Sequence, residues 1–189
     1  MHRWAWLKVP VIAVALLAIG SVTLFYSNWF QKKVFYPMPY EGLIYKHAAA
    51  NDISPFLVAG VIRAESKFAH RARSPKGATG LMQVMPDTAE WIAQQMGDPS
   101  NAFLDLEEPE VNIRLGTWYL ASLKKEFVSN EVLMLAAYNG GPGNVRQWIT
   151  KYDWDDEFAD VAQIPFRETR DYVGKVQKFQ KRYQELYGR

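Results

Sequence analysis

The chain has 189 residues, 49% of them hydrophobic and 14% aromatic, enough for one ordinary core and short for two full domains. Its 22 Lys and Arg against 20 Asp and Glu leave a net charge of +2, too little to mark a nucleic-acid binder. Cysteine is absent, which excludes disulfides, thiolate catalysis, thiolate metal sites and a lipid-modified N-terminal cysteine.

From Val9 to Tyr26 the sequence carries no charge, and its length matches the roughly 18 apolar residues that cross a bilayer as a helix. His2, Arg3 and Lys8 precede this run, and Trp4, Trp6, Tyr26, Trp29 and Phe30 flank it, where amphipathic rings favour the membrane interface. Lys32 and Lys33 on the far side leave only a modest positive-inside bias. Two readings compete. Ala18-Ile19-Gly20 resembles a signal-peptidase site, but it falls inside the apolar run rather than after it. Residues 1–30 are therefore read as a retained single-pass anchor in the lipid bilayer, N-terminus cytoplasmic, the rest of the chain on the extracytoplasmic side.

Residues 31–40, with two prolines and no periodicity, read as a linker, and residues 41–189 as one domain. Its pattern is helical throughout, with Gly, Pro and Asn breaks and no alternating strands, so the fold class is all-α. Ser54 as a capping hydroxyl and Pro55 at the first helical position open a helix that places Val58, Val61, Ile62, Glu65 and Ser66 along one side. Pro86 opens a second helix closed near Gly97, and Pro109 a third with Ile113, Gly116, Leu120, Leu123 and Phe127 on one face. A short buried helix runs from Glu131 to Tyr138, ended by Asn139-Gly140-Gly141-Pro142. A long amphipathic helix from Glu168 to Tyr187 turns Tyr172, Val176, Phe179, Tyr183 and Leu186 inward.

Glu65 is the residue with the most to say about chemistry. A carboxylate on an apolar helix face either protonates or finds partners, because its desolvation is costly. The negative end of the helix dipole acts in the same direction. A raised pKa is what protonating a glycosidic oxygen requires. Pairing with Arg63, Arg71 or Arg73 is the plain alternative. Gly77 and Gly80 permit tight turns that set Met82 and Gln83 toward a groove and pack Met85 inward, although Met82 serves equally as core filler and Gln83 as a solvated amide. Tyr138 offers a flat face with a hydroxyl, either for a sugar ring or for orienting Glu65; an ordinary core tyrosine has the same signature. Tyr172 lies on the inward stripe, and Ser66 can cap or back-bond within its own helix. Asp87 and Glu90 follow Pro86 in a first helical turn, where the dipole alone accounts for them. His47 and His70 lack metal-site spacing and read as solvated.

Four segments occur in order: Glu65-Ser66, then Gly80-Leu81-Met82-Gln83 with Met85-Pro86, then Ala137-Tyr138-Asn139-Gly140-Gly141, then Glu168-Thr169-Arg170 with Tyr172-Val173. This series resembles the catalytic domain of the soluble lytic transglycosylases, similar in fold to goose-type lysozyme, over about residues 41–185. The resemblance implies a lysozyme-like multi-helix domain acting on peptidoglycan glycan strands. It makes Glu65 the catalytic acid and base, and Ser66, Met82, Gln83, Tyr138, Asn139 and Tyr172 the substrate-binding set, with the Tyr172 hydroxyl reaching the glutamate. It implies no metal and no organic cofactor. In the family mechanism the muramic acetamido group assists and the muramic 6-hydroxyl attacks, leaving a 1,6-anhydro end. A hydrolytic muramidase on the same bond, a catalytically silent glycan-binding scaffold and a structural membrane protein are the rival readings. A silent binder has no need of an intact Glu65, and a structural membrane protein leaves the four grouped motifs unexplained.

Overall fold

The computed structural model describes residues 5–97 and 105–188, with side chains from residue 13 onward. It divides into two compact units, Met1–Met38 and Pro39–Arg189.

The first unit holds helix α1 (Ala5–Tyr26), a single turn α2 (Asn28–Phe30) and a π-helical turn over Gln31–Phe35. The break falls at Ser27, whose hydroxyl accepts from the Phe30 amide at 3.2 Å and so starts a new turn. Gln31 reaches back with Nε2 to donate to the Phe25 carbonyl at 2.7 Å, and the rings of Phe25, Phe30 and Phe35 pack together. Half of the expected linker is thus helical, because the Gln31 amide satisfies a carbonyl at the broken end of α1 and three rings pack beside it. Among the described residues no single helix is long and apolar enough to cross a membrane. The pair Ala13–Tyr26 and Asn28–Phe35, bent by 54°, passes that test jointly.

The second unit is all-helical, with two isolated antiparallel bridges, Arg73 with Thr79 and Thr79 with Val84, in place of strands among its described residues. Its helices are α3 (Glu41–Ala50), α4 (Pro55–Glu65), α5 (Pro86–Gln95), α6 (Pro109–Glu126), α7 (Glu131–Gly140), α8 (Pro142–Tyr152) and α9 (Arg167–Tyr187), with a 3-10 turn at Val161–Gln163. Proline occupies the first turn of α4, α5, α6 and α8, where its missing N–H costs nothing and its fixed φ suits the helix. Ser54 precedes Pro55 but its side chain makes no capping bond, so proline alone sets that start. Asn130 caps α7 instead, accepting from the Leu133 amide at 3.0 Å while its Nδ2 holds the carbonyls of Asp156 and Phe158. Helix α7 runs two residues past the expected end, through Asn139 and Gly140, and turns at Gly141 (φ 87°) directly into α8. The sequence reading missed α8, although Pro142 followed by Val145 and Trp148, both buried, is a proline-led amphipathic pattern.

Helix α4 is the central element, packed most extensively on α9. Its buried Gly60 allows this: a Cβ there would stand 3.0 Å from the Gln180 amide nitrogen and 3.1 Å from the Val176 carbonyl oxygen of α9. Tyr172, Val176, Tyr183 and Leu186 of α9 are buried, whereas Phe179 lies at the margin of the inward stripe. His47 is buried, not solvated; its Nε2 lies 2.9 Å from Glu110 Oε1, which Lys46 also approaches at 2.6 Å, tying α3 to the first turn of α6.

Candidate active site

Glu65 is the last residue of α4, half-buried at the edge of the α4 and α9 contact. Burial pushes its carboxyl up to about 7 from an ordinary 4.5; Tyr172 and the positive charge of Lys175 pull it down, and the negative charge of Glu168 pushes it further up. Of the arginines considered as partners, Arg63 lies over the Phe179 ring and Arg73 pairs with Glu107 at 2.7 Å. The cation acting on Glu65 is Lys175, whose Nζ donates to the Ala64 carbonyl at 3.1 Å and so also closes the end of α4.

Two tyrosines, one on α9 and one on α7, lie within electrostatic reach of this carboxyl. Tyr172 of α9 is buried, and its hydroxyl approaches Glu65 closely enough to favour the ionised form without closing a well-aligned hydrogen bond. Burial and the charge of Glu65 hold the Tyr172 phenol well above its ordinary pKa, so it is available as a donor across the working pH range. Tyr138 of α7 is raised by burial, Glu65 and Tyr119, yet its hydroxyl donates to the Met82 carbonyl at 2.8 Å. That hydroxyl therefore braces the neighbouring loop, and its ring packs on Tyr119 at 5.5 Å.

The loop between α4 and α5 is built on strained backbone. Gly77 (φ 94°) and Gly80 (φ 85°) take left-handed conformations as expected, and so do Lys67, Phe68 and Gln83 (φ 51°). A Cβ at Gly80 would collide with the Asn112 amide and the Leu106 carbonyl, so only glycine fits. Asn112, fully buried on α6, is the clamp: Oδ1 accepts from the Met82 amide at 2.7 Å, and Nδ2 donates to the Thr79 and Leu106 carbonyls at 2.9 Å each. Sequence reasoning passed over Asn112; the signal was a lone amide beside Ile113 on the inward stripe of a core helix, which must find partners.

Met85 departs from its expected place, and Met82 takes one of the two open to it. Met82 is fully buried against Gly116, where a Cβ would lie 2.5 Å from Sδ, so its side chain fills core and only its backbone serves the site. Met85, expected inside, is 38% exposed because it is the extended residue before Pro86. Gln83 donates from Nε2 to the Ala72 and Gly80 carbonyls at 3.0 and 2.9 Å. Ser66 is buried and donates to the Leu81 carbonyl at 2.8 Å, linking the acid's helix to the loop rather than reaching outward. Asn139 is half-exposed on the last turn of α7, at the lip that leads through Gly141 to α8. Beneath that lip Thr169 of α9 fits against Gly140, where a Cβ would meet its Oγ1 at 3.0 Å.

A desolvated carboxyl with a pKa raised toward neutrality, near two tyrosines of an all-helical domain, is a candidate general acid–base group. Residues 42–161 match the family described as "Transglycosylase SLT domain", and the chain belongs to that family. It is similar to the soluble lytic murein transglycosylase of Salmonella typhimurium, 36% identical over 85% of this chain and 25% of that protein. It is also similar to the membrane-bound lytic murein transglycosylase C of Haemophilus ducreyi, 33% identical over 76% of this chain and 45% of that protein. Among solved structures, the 70 kDa soluble lytic transglycosylase of Escherichia coli superposes with a TM-score of 0.78 at 34% identity, covering 85% of this chain and 26% of that one. An inactive glutamate-to-glutamine mutant of the Pseudomonas aeruginosa lytic transglycosylase gives 0.73 at 35% identity, over 89% of this chain and 27% of that one. The chain thus spans about a quarter of the length of its soluble relatives.

Proposed function

We propose that this chain cleaves the β-1,4 bond between N-acetylmuramic acid and N-acetylglucosamine in peptidoglycan as a lytic transglycosylase, with Glu65 as acid and then base. The observation that carries this is the Glu65 carboxyl, held near a pKa of about 7 by burial. Protonated Glu65 gives its proton to the glycosidic oxygen as the C1–O bond breaks, and the muramic acetamido oxygen shares the positive charge at C1. The Glu65 carboxylate then takes the proton of the muramic 6-hydroxyl, whose oxygen bonds to C1 and closes the 1,6-anhydro ring. The glutamate ends protonated, ready for another cycle. Tyr172 favours the carboxylate in the second half, and on this reading the Gln83 oxygen and Asn139 amide bind acetamido and hydroxyl groups. Ser66, Tyr138 and the Met82 backbone act by holding the loop against α4.

Hydrolysis of the same bond is the second reading, and Glu168 is the observation that favours it: a carboxylate close enough to raise the pKa of Glu65 has one requirement of a water-activating base. Glu168 is solvent-exposed, which argues for a modulating charge. The product separates the two. Digestion of purified peptidoglycan followed by borohydride reduction and mass analysis yields anhydromuramic ends, one water lighter and unreduced, if the proposal holds; exclusively hydrated, reduced ends overturn it.

We also propose that the N-terminal unit anchors the enzyme in the cell membrane with the catalytic domain on the wall side. Val14, Leu17 and Ile19 of α1 are 60% or more exposed, an apolar surface that lipid would cover. Alkaline carbonate extraction of membranes leaves the chain in the pellet on this reading, and a mature N-terminus near Ser21 refutes it.

A further inference from the structure

Residues 1–40 contain Arg3, Lys8, Lys32 and Lys33 and no Asp or Glu, although the whole chain carries a net charge of only +2. Residues 41–189 are therefore net acidic, and the basic excess belongs to the first 40 residues alone. Beyond the bend at Ser27 that excess meets an apolar surface. Trp29 is 67% exposed and Val34 52%, and between them in sequence Lys33 is exposed and Lys32 half-buried.

The bend is closed by groups of its own segment. The Leu24 carbonyl accepts from the Ser27 amide at 3.1 Å and the Ser27 hydroxyl at 2.7 Å, and the Phe25 carbonyl accepts from Gln31 Nε2 at 2.7 Å. The Ser27 carbonyl accepts from the Gln31 amide at 3.0 Å, and the Gln31 carbonyl from the Tyr36 amide at 2.8 Å. A helix break in water needs no such side-chain cover, because solvent meets the freed carbonyls, whereas a break at a water-poor depth does. Two adjacent lysines, in turn, are costly at the hydrocarbon centre and favoured in the headgroup layer, where an indole also finds both apolar and polar surroundings. Internally satisfied backbone, an exposed indole and two ammonium groups fit one depth, the boundary between acyl chains and phosphates. A zwitterionic headgroup offsets its phosphate with its own cation, so two lysines in a unit without acids favour lipids of net negative charge.

Resting on the membrane-anchor reading of α1, we infer that residues 27–36 are an interfacial foot that lies along the bilayer surface and binds anionic phospholipid. Lys32 and Lys33 engage the headgroup phosphates, and Trp29, Val34 and Phe35 seat among the upper acyl carbons. The foot is distinct from the span, although the two segments together have the length and apolarity of one bent by 54°.

The chain has no cysteine, so each single replacement carries one label. Leu17→Cys, Asn28→Cys and Val34→Cys are spin-labelled in the full chain and reconstituted in nanodiscs of equal parts phosphatidylcholine and phosphatidylglycerol, and label depth is read from accessibility to oxygen and to a nickel chelate. The labels on Asn28→Cys and Val34→Cys are expected at headgroup depth and the label on Leu17→Cys in hydrocarbon. Native mass spectrometry then counts the lipids each protein retains. The preference of wild type for phosphatidylglycerol is expected to exceed that of the double variant Lys32→Gln with Lys33→Gln by roughly 25-fold, about fivefold for each lysine. A Val34→Cys label as deep as that of Leu17→Cys makes the segment part of the span, and labels in water at both outer positions make it plain linker; either overturns the foot. Interfacial labels without a preference for phosphatidylglycerol, or a preference that survives the glutamine pair, overturn the anionic lipid. Failure of the anchor reading itself looks different, since the Leu17→Cys label is then also in water. If the glutamine pair loses helical circular dichroism, Lys32→Arg with Lys33→Arg is required to keep the preference and Lys33→Gln alone to lower it about fivefold.

Discussion

Glu65 and Glu110 are the same side chain at opposite kinds of helix end. Glu110 stands in the first turn of α6, where the dipole favours negative charge, and Lys46 foremost, with His47, holds its carboxyl below the ordinary value against a smaller cost of burial. Glu65 ends α4, where the dipole opposes charge; burial dominates there, with Lys175 and Tyr172 compensating only in part. One carboxyl is held as an anion for structure, and the other is the acid in the proposed mechanism. Partners that fully satisfy a carboxylate remove its value as a proton donor, whereas partial satisfaction beside a cleft preserves it.

Exchanging both residues for their amides breaks the comparison most sharply. Glu65→Gln keeps shape and loses the proton, and glycan cleavage is expected to fall about 10²- to 10⁴-fold with the fold intact. Glu110→Gln leaves cleavage near wild type, and because that pair is partly exposed and screened, it costs under about 1 kcal/mol in urea unfolding. Near-normal turnover in the first, or lost turnover in a folded second, reverses the roles.

The pH dependence comes next in size. If protonated Glu65 is the acid, kcat/KM is level just below pH 7 and falls about tenfold per unit above it. Stability follows from the same shift. The folded carboxyl binds its proton more tightly than the unfolded one, so the contribution of protonated Glu65 is complete below about 4.5 and is lost as pH rises through about 7. Glu65→Gln is therefore expected to be more stable than wild type at pH 8, by on the order of 1–3 kcal/mol, with no such advantage at pH 4. Glu110 has the opposite sign, since its depressed pKa lends stability above the ordinary value that is lost on acidification through the folded one. Thermal unfolding of the two variants from pH 3 to pH 9 reads both limbs.

Smaller effects sharpen the electrostatics. Glu168→Gln removes a charge that raises Glu65 and is expected to move the alkaline limb to lower pH, while Lys175→Gln moves it to higher pH, each by less than about one unit. A limb that moves the same way in both variants contradicts this account. In Tyr172→Phe, loss of the hydroxyl that favours the carboxylate shifts the limb upward and slows the base half of the cycle. Tyr138→Phe releases the Met82 carbonyl instead, so it is expected to lower stability and leave the limb in place. Equal pH profiles for Tyr172→Phe and wild type place Tyr172 in the core alone.

Much of this was legible without a fold because it is local. Prolines at helix starts, the glycines with φ near 90° and the amphipathic stripe of α9 depend on residues within a few positions of one another. The apolar run at the N-terminus was legible too, though the break at Ser27, made by a serine, a glutamine and three phenylalanine rings, was not. Glu65 stood out because a carboxylate on an apolar stripe contradicts its own periodicity. What periodicity does not contain is the partner across the contact. The sequence assigned Met82 to an open question and Met85 to the core; Gly116 on α6 admits one and Pro86 turns out the other. Asn112 is an unremarked amide until it meets backbone groups of Met82 and Thr79, 30 and 33 residues away, and His47 reads as solvated until α6 brings Glu110 to it. Sequence by itself determined an all-helical domain with one anomalous acid, since helix propensity and patterning act over a few residues. Only the tertiary structure decided which groups surround that acid and set its proton affinity, because desolvation and Coulomb interactions depend on distance in space and not along the chain.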